Sequence, residues 1–129
     1  MRPAEIRVYA SLYGMKVYSF GKDERIRKRK DFLKIYQDGA RISSKNFITI
    51  LSPNQTGTRR LGITVTKSVG NSVKRNRVKR LLREFFRLNK DKLPDSQDMV
   101  IIVKKDIPFL KYQDVCAELK DLFLERADI

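Results

Sequence analysis

The amino-acid sequence predicts an α+β protein, a small two-layer α/β sandwich with the element order α-β-β-β-α-β-α. Its 129 residues fit one domain and are enough to bury a core. Apolar residues make up 41% of the chain, and they recur at helical spacing in some segments and at strand spacing in others. The segments alternate between these two patterns along the chain, which is typical of helices packed on one sheet.

The first element is a predicted helix over about Lys30–Gln37. Phe32, Ile35 and Tyr36 lie on one face of it, and Gly39 suits its C-cap. Residues 1–15 differ in character from the rest of the chain, and we interpret them as an N-terminal extension that is expected to be disordered. The single domain is then residues 16–129.

Two or three strands are predicted next, and two of them are well marked. Asn46–Ser52 is rich in β-branched and aromatic residues, and Leu61–Thr66 alternates apolar with small or polar side chains. The segment 52–57 between them contains Pro and Gly and is typical of a hairpin loop.

A long helix, a buried strand and a closing helix complete the order. Asn71 or Ser72 is a suitable N-cap for a helix that runs to about Leu88. Met99–Val103 is a continuous apolar run, which is typical of a buried strand. The closing helix is predicted over about Tyr112–Arg126, with these side chains inward: Val115, Leu119, Leu122 and Phe123.

The charge of +14 at pH 7 is concentrated in the first part of the chain. Residues 1–92 hold 24 basic and 7 acidic side chains, against 5 and 8 in residues 93–129. Such an asymmetry predicts a polyanionic partner, with nucleic acid as the first candidate and an anionic membrane surface as the second. The single Cys116 excludes an internal disulfide framework, and we interpret it as structural. The absence of His excludes Ser-His-Asp and Cys-His catalysis and any His metal site.

The long predicted helix separates apolar from cationic side chains. Its apolar arc is formed by Val78, Leu81, Leu82 and Phe85, with Phe86 at the edge. Its opposite arc is formed by Asn76, Lys79, Arg80, Arg83 and Arg87. Glu84 is the only acid between Lys74 and Arg87, whereas ordinary solvated helix faces mix charge signs. Arginine suits phosphate recognition, and the Asn71 cap places backbone N–H groups at the start of the helix. The helix therefore predicts binding to nucleic-acid phosphates.

The run from Gly70 to Phe86 closely resembles the signature helix of the bacterial ribonuclease P protein family, whose hallmark here is Arg75-Asn76-Arg77. The resemblance continues in Arg60–Lys67, in Arg25–Gly39 and in Asp98–Val103, and it spans about residues 19–125. It implies a ribosomal protein S5 domain 2-like fold, with a left-handed βαβ crossover around the arginine-rich helix.

The resemblance also implies a function as the protein component of ribonuclease P, an endoribonuclease. The protein would bind the catalytic ribonuclease P RNA and the 5′ leader of precursor tRNA, as a monomer within a cytoplasmic ribonucleoprotein and without a membrane. No catalytic residue, metal ligand or cofactor is expected in this chain, because the RNA would hold the Mg²⁺ ions.

Site residues are carried over from the resemblance position by position. The residues expected to face the catalytic RNA are Asn71, Lys74, Arg75, Asn76, Arg77, Lys79, Arg80 and Arg83. The residues expected to line or border the leader cleft are Phe32, Tyr36, Phe47 and Lys67. Aromatic faces on a basic floor suit single-stranded RNA, although Phe32 and Tyr36 could equally be helix core. Two positions depart from the family pattern: Ser68 replaces a second Lys, and Ile50 replaces a Tyr found in some relatives.

Three other functions remain open at this point. A general RNA-binding or ribosomal accessory protein would share the basic helix. A protein-only nuclease would need a metal-binding carboxylate cluster, and the basic part of the chain has only scattered acids. A membrane-surface protein would need a second apolar face, because the core uses the one that the helix has.

Overall fold

The computed structural model describes residues 21–93 and 95–127, with the side chains of 121–127 excepted. The predicted order of elements is confirmed, and most boundaries shift by one or two residues. The elements are α1 (Arg29–Asp38), β1 (Ala40–Ser43), β2 (Phe47–Pro53), β3 (Arg60–Thr64), α2 (Ser72–Asn89), β4 (Gln97–Val103) and α3 (Tyr112–Ala127). The extension 1–15 lies outside the described residues, and the domain limits 16–129 stay a prediction.

The four strands form one mixed sheet in the order β1-β2-β4-β3. β2 is antiparallel to both β1 and β4, whereas β3 runs parallel to β4. β4 lies inside the sheet and its residues are buried on both faces, which explains its continuous apolar run. β1 is the third strand of the expected two or three, and it pairs Ala40 with Leu51 and Ser43 with Ile48.

Helices cover both faces of the sheet. The face that carries Leu51 and Ile101 packs on α2 and α3 and holds the larger core cluster. The face that carries Ile50 and Val100 packs on Ile35 of α1. This separation results from the two-residue period of strands, which sends neighbouring side chains to opposite faces. The sheet and the α2–α3 layer make the predicted sandwich, and α1 adds a partial cover to the other face.

β3, α2 and β4 form a βαβ unit, because two adjacent parallel strands are joined through a helix. This connectivity agrees with the crossover that the resemblance implies, and its left-handed sense stays a prediction. The unit places α2 directly on the sheet and leaves its cationic face outward.

The closing helix is fixed to the β1–β2 turn by one carboxylate. Glu118 accepts hydrogen bonds from the backbone N and the Nδ2 of Asn46, each at 2.7 Å, and from the hydroxyl of Ser44. Val115 and Leu119 are buried as predicted. Leu122 and Phe123, which are also expected inward, lie outside the described side chains.

Candidate nucleic-acid interface

Helix α2 begins as predicted, with Asn71 as its N-cap. The Asn71 Oδ1 accepts a hydrogen bond of 2.9 Å from the backbone N of Lys74. The preceding residue, Gly70, has a φ of 156°, which side-chain-bearing residues rarely adopt. A cap of this kind satisfies one backbone donor and fixes where the first turn starts.

The two faces of α2 separate as the sequence predicts. Val78, Leu82, Phe85 and Phe86 are buried, and Leu81 packs against their cluster. On the outer side, Asn76, Arg80 and Arg83 are exposed. The remaining polar residues expected at the interface, Lys74, Arg75, Arg77 and Lys79, are half-buried. Asn76, Lys79, Arg80 and Arg83 therefore share the outer face of the helix, whereas Lys74, Arg75 and Arg77 lie nearer its covered side.

The acid of this helix is engaged with a neighbouring arginine. Glu84 accepts from Nη2 of Arg87 at 2.5 Å and from its Nε at 3.2 Å, and this hydrogen bonding raises the pKa of Arg87. Lys79, Arg80 and Arg83 have no carboxylate partner among the described residues. Their mutual repulsion is a cost that a polyanion would relieve.

Three cations near the start of α2 are held in place by local contacts. Lys74 Nζ donates to the carbonyl of Ile107 at 2.9 Å, and Arg75 Nη2 donates to the hydroxyl of Ser72 at 3.2 Å. The guanidinium carbon of Arg77 lies 4.0 Å from the ring centroid of Phe109. Arg75 Nε is buried without a hydrogen-bond partner in the described structure. Each contact restrains a cationic side chain in the absence of a partner, and such restraint lowers the entropic cost of binding.

The aromatic residues of α1 lie against strand β3. The Phe32 ring is so close to Gly62 that a Cβ at that position would lie 2.6 Å from the ring. The Tyr36 hydroxyl is hydrogen bonded to Thr64 Oγ1 at 2.7 Å. The ring centroids of Phe32 and Tyr36 are 6.2 Å apart, and the rings are tilted by 50° to each other. Both aromatics are half-buried, so each combines a core contact with an accessible surface.

A pocket of about 330 Å³ connects this aromatic surface to α2. It opens beside Phe32 and Gly62, and its cationic rim is formed by Arg25, Arg27, Lys79 and Arg83. The backbone at residues 25 and 26 runs along the free edge of β3, where Ile26 N donates to the Leu61 carbonyl at 3.0 Å. An aromatic wall with cations around it can hold a base and its phosphates together.

One expected cleft residue must be corrected. Phe47 is fully buried in the core cluster of α2 and α3, on the face of the sheet opposite to Phe32 and Tyr36. The reason is the alternation of β2, which puts Phe47 on the same side as Leu51. Ile50 does lie on the α1 side, but it is fully buried there. Lys67 is exposed in a short 3₁₀ turn just after β3, where it can border the cleft.

Sequence reasoning missed three residues that shape the surface. Arg25 and Arg27 belong to a basic run that is evident in the sequence, but only the edge pairing with β3 brings them to the pocket. Phe109 comes after Pro108 in a loop, where no periodicity assigns it a face. The only signal that the sequence offered for Phe109 was a single large aromatic residue in the loop between β4 and α3.

Several acidic residues of the described chain form ion pairs with cations. Asp98 binds Arg60, Asp95 binds Arg59 and Glu24 binds Lys90. No group of three or more potential metal-ligating side chains occurs within the described ranges. None of the helices in those ranges has the length and apolarity needed to cross a membrane.

Comparison with known proteins gives one consistent family. The family model described as Ribonuclease P matches residues 20–127. The chain is 56% identical over 105 residues to the ribonuclease P protein component of Syntrophus aciditrophicus, covering 81% of this chain and 88% of that protein. It is 45% identical to the corresponding protein of Desulforapulum autotrophicum, covering 82% and 91%.

Solved structures agree with the sequence matches. The RNase P protein of Staphylococcus aureus superposes with a TM-score of 0.71 at 30% identity, covering 81% of this chain and 94% of that one. The protein from Thermotoga maritima gives 0.70 at 33% identity, covering 79% and 96%. The fold, including the sheet and its helices, is therefore shared with these proteins.

Proposed function

This chain belongs to the ribonuclease P protein family, and from that membership we propose that it binds a catalytic RNA and helps remove the 5′ leader of precursor tRNA. The single observation that carries the proposal is the outer face of α2. That face presents a row of arginine and lysine side chains, and its acid is engaged with Arg87 at the helix end.

The outer face of α2 would contact the ribonuclease P RNA. Arg80 and Arg83 are exposed and have no carboxylate partner among the described residues, so their charge is available to phosphates. Guanidinium groups bind phosphate oxygens through two parallel hydrogen bonds, which fixes orientation as well as charge. The full proposed set is Asn71, Lys74, Arg75, Asn76, Arg77, Lys79, Arg80 and Arg83.

The 5′ leader would lie along the α1 side of β3. Phe32 and Tyr36 offer partly accessible rings there, and Arg25 and Arg27 supply cations at the rim of the adjoining pocket. Single-stranded RNA is bound by combining base stacking with backbone charge. Lys67 lies past the end of β3 and would extend the basic path.

The chain itself would position RNA without performing the chemical step. Asp98, Asp95 and Glu24 are already neutralised by cations, so they are poorly placed to act as metal ligands or bases. Mg²⁺ held by the RNA would supply the hydrolytic chemistry. We further propose that the protein acts as a cytoplasmic monomer within the ribonucleoprotein.

Reconstitution tests this proposal. The protein is mixed with a bacterial ribonuclease P RNA and a precursor tRNA at low Mg²⁺, and leader removal is monitored with and without protein. We expect strong stimulation that is lost when Arg75, Arg77 and Arg80 are all replaced by Ala. The matched control replaces Lys45, Lys92 and Lys120, which are exposed and lie off the α2 face, and removes the same charge.

The outcomes separate the proposal from its nearest alternative. Stimulation by the wild type and the control, but not by the α2 variant, supports the subunit function. Salt-sensitive binding to every structured RNA without stimulation would instead indicate a general RNA-binding protein. Cleavage by the protein alone would indicate a protein nuclease.

A further inference from the structure

A second pocket lies at the start of α2, away from the aromatic surface of α1. Its volume is about 400 Å³, which is within the usual range of roughly 300–1,000 Å³ for ligand sites. Its wall combines the first two turns of α2 with the segment after β4, and its outer residues are Asn71, Val73, Lys74, Arg77, Pro108 and Phe109. It shares no lining residue with the pocket beside Phe32.

The pocket is bounded by two unusually exposed apolar side chains. Val73 is 77% exposed and Phe109 is 73% exposed, more than any other large apolar side chain in the described ranges. Both side chains line the same pocket, and exposed apolar surface gathered in one place is typical of interaction sites.

The loop that carries Phe109 is anchored on both sides. Ile107 and Leu110 are buried in the core, and the carbonyl of Ile107 accepts a hydrogen bond from Lys74 Nζ. The ring is therefore presented to solvent from a fixed backbone. An aromatic group held in this way loses little entropy when it stacks on a ligand.

Arg77 connects this ring to the cationic face of α2. Its guanidinium carbon lies 4.0 Å from the ring centroid, which is a cation–π contact. Most of the ring remains exposed despite this contact. Arg77 therefore places a positive charge beside an aromatic surface that is still available.

We propose that this pocket takes one unpaired nucleobase of the structured RNA that binds α2, stacked on Phe109 with its phosphate beside Arg77. The proposal rests on the proposed function and adds a base-stacking subsite to it. Charge favours this occupant: the pocket has no acidic lining residue, and a second copy of a chain with net charge +14 would be repelled.

The test measures binding of a bacterial ribonuclease P RNA, and of an unrelated structured RNA of equal length, over a range of salt concentrations. The variants are Phe109→Ala, Phe109→Tyr and Phe109→Leu, and the matched control is Leu33→Ala, another exposed apolar residue. Circular dichroism verifies that each variant is folded. Because the substituted side chains are exposed, we expect all of them to fold.

We expect Phe109→Ala to weaken binding by about 5- to 150-fold, the range for loss of one base–aromatic stack. The slope of log K against log salt should not change, because the ring carries no charge. Phe109→Tyr should bind like the wild type, since it keeps a π-face, and Leu33→Ala should also be unaffected.

Two results would overturn the subsite. Unchanged binding by Phe109→Ala would remove it, and full binding by Phe109→Leu would show an apolar contact without stacking. Failure of the proposed function gives a different result from failure of the subsite. In that case the wild type would bind the ribonuclease P RNA and the unrelated RNA equally. The loss of affinity caused by Phe109→Ala could still be measured with either RNA.

Discussion

Arg60 and Asp98 are register partners on the parallel strands β3 and β4, and their side chains form two parallel hydrogen bonds. Arg60 Nε donates to Oδ1 and Nη2 donates to Oδ2, both at 2.8 Å. Asn54 Nδ2 also donates to Oδ1 at 2.6 Å. One buried carboxylate therefore joins β3, β4 and the loop after β2.

Replacing Asp98 by Ala should lower the free energy of unfolding by about 2–4 kcal/mol, because Arg60 and Asn54 lose hydrogen bonds and Arg60 keeps only a 3.7 Å contact with Asp31. The matched control is Asp95→Ala, whose side chain is 81% exposed and pairs with Arg59. That change should cost about 0–1 kcal/mol. Urea unfolding measures both, and equal losses would contradict this interpretation of the pair.

Replacing Gly62 by Ala should displace Phe32, because the new methyl group would lie 2.6 Å from the ring. We expect a stability loss of about 1–3 kcal/mol and weaker binding of a single-stranded leader RNA. The penalty should nearly vanish when Phe32 is also replaced by Ala. A double-mutant cycle by urea unfolding measures this coupling, and additive losses would show that the two residues do not interact.

Arg80→Ala should reduce the salt slope of RNA binding by about 0.7–0.9, the value for one lost phosphate contact. Arg87→Ala is the matched variant, because that guanidinium is already engaged with Glu84 on the same helix. We expect it to change the slope much less. Filter binding at several salt concentrations compares them, and equal slope changes would argue against selective use of the unpaired arginines.

The stability of the fold should fall in alkali partly through Tyr112. Burial, together with a hydrogen bond to Cys116, raises the pKa of Tyr112 to about 12. The folded state therefore favours the neutral phenol, whose ordinary pKa is about 10. The stabilisation that comes from the neutral Tyr112 phenol is complete below pH ~10 and is lost as the pH rises to ~12.

Tyr112→Phe should remove that part of the pH dependence. Urea unfolding midpoints are measured for the wild type and for Tyr112→Phe at pH ~9 and ~11.5. The midpoint of the variant should fall less between these two pH values than that of the wild type. Absorbance titration of the phenol provides a direct measurement. A Tyr112 that ionises near pH ~10 would refute the expectation.

The sequence predicted the elements because their local signals agree with their environments. The helix over Ser72–Asn89 combines an Asn cap, a 3.6-residue apolar period and a cationic outer face, and all three appear in the structure. The apolar run Met99–Val103 predicts a strand buried on both faces, which β4 is. β1 is less well marked because it is short and partly exposed.

The side of the sheet on which a residue lies was harder to predict. The resemblance, carried over by position, predicts Phe47 in the leader cleft, but the register of β2 directs it to the opposite face. Arg25, Arg27 and Phe109 reach the surface pockets only through tertiary placement of irregular segments. Periodicity assigns no face to such segments, so their place at the pockets follows only from the tertiary structure.

The strand order has a consequence for how the chain is made. β4 is the last strand in sequence but lies between β2 and β3, so every earlier strand except β1 needs it to complete its hydrogen bonds. A nascent chain that ends before Gln97 exposes two unpaired strand edges together with the apolar side of α2. Refolding that depends on such distant pairing is slow compared with helical proteins of this size. Truncation before residue 97 should therefore abolish the fold as a whole. Loss of the edge strand β1 would remove only the β1–β2 pairing.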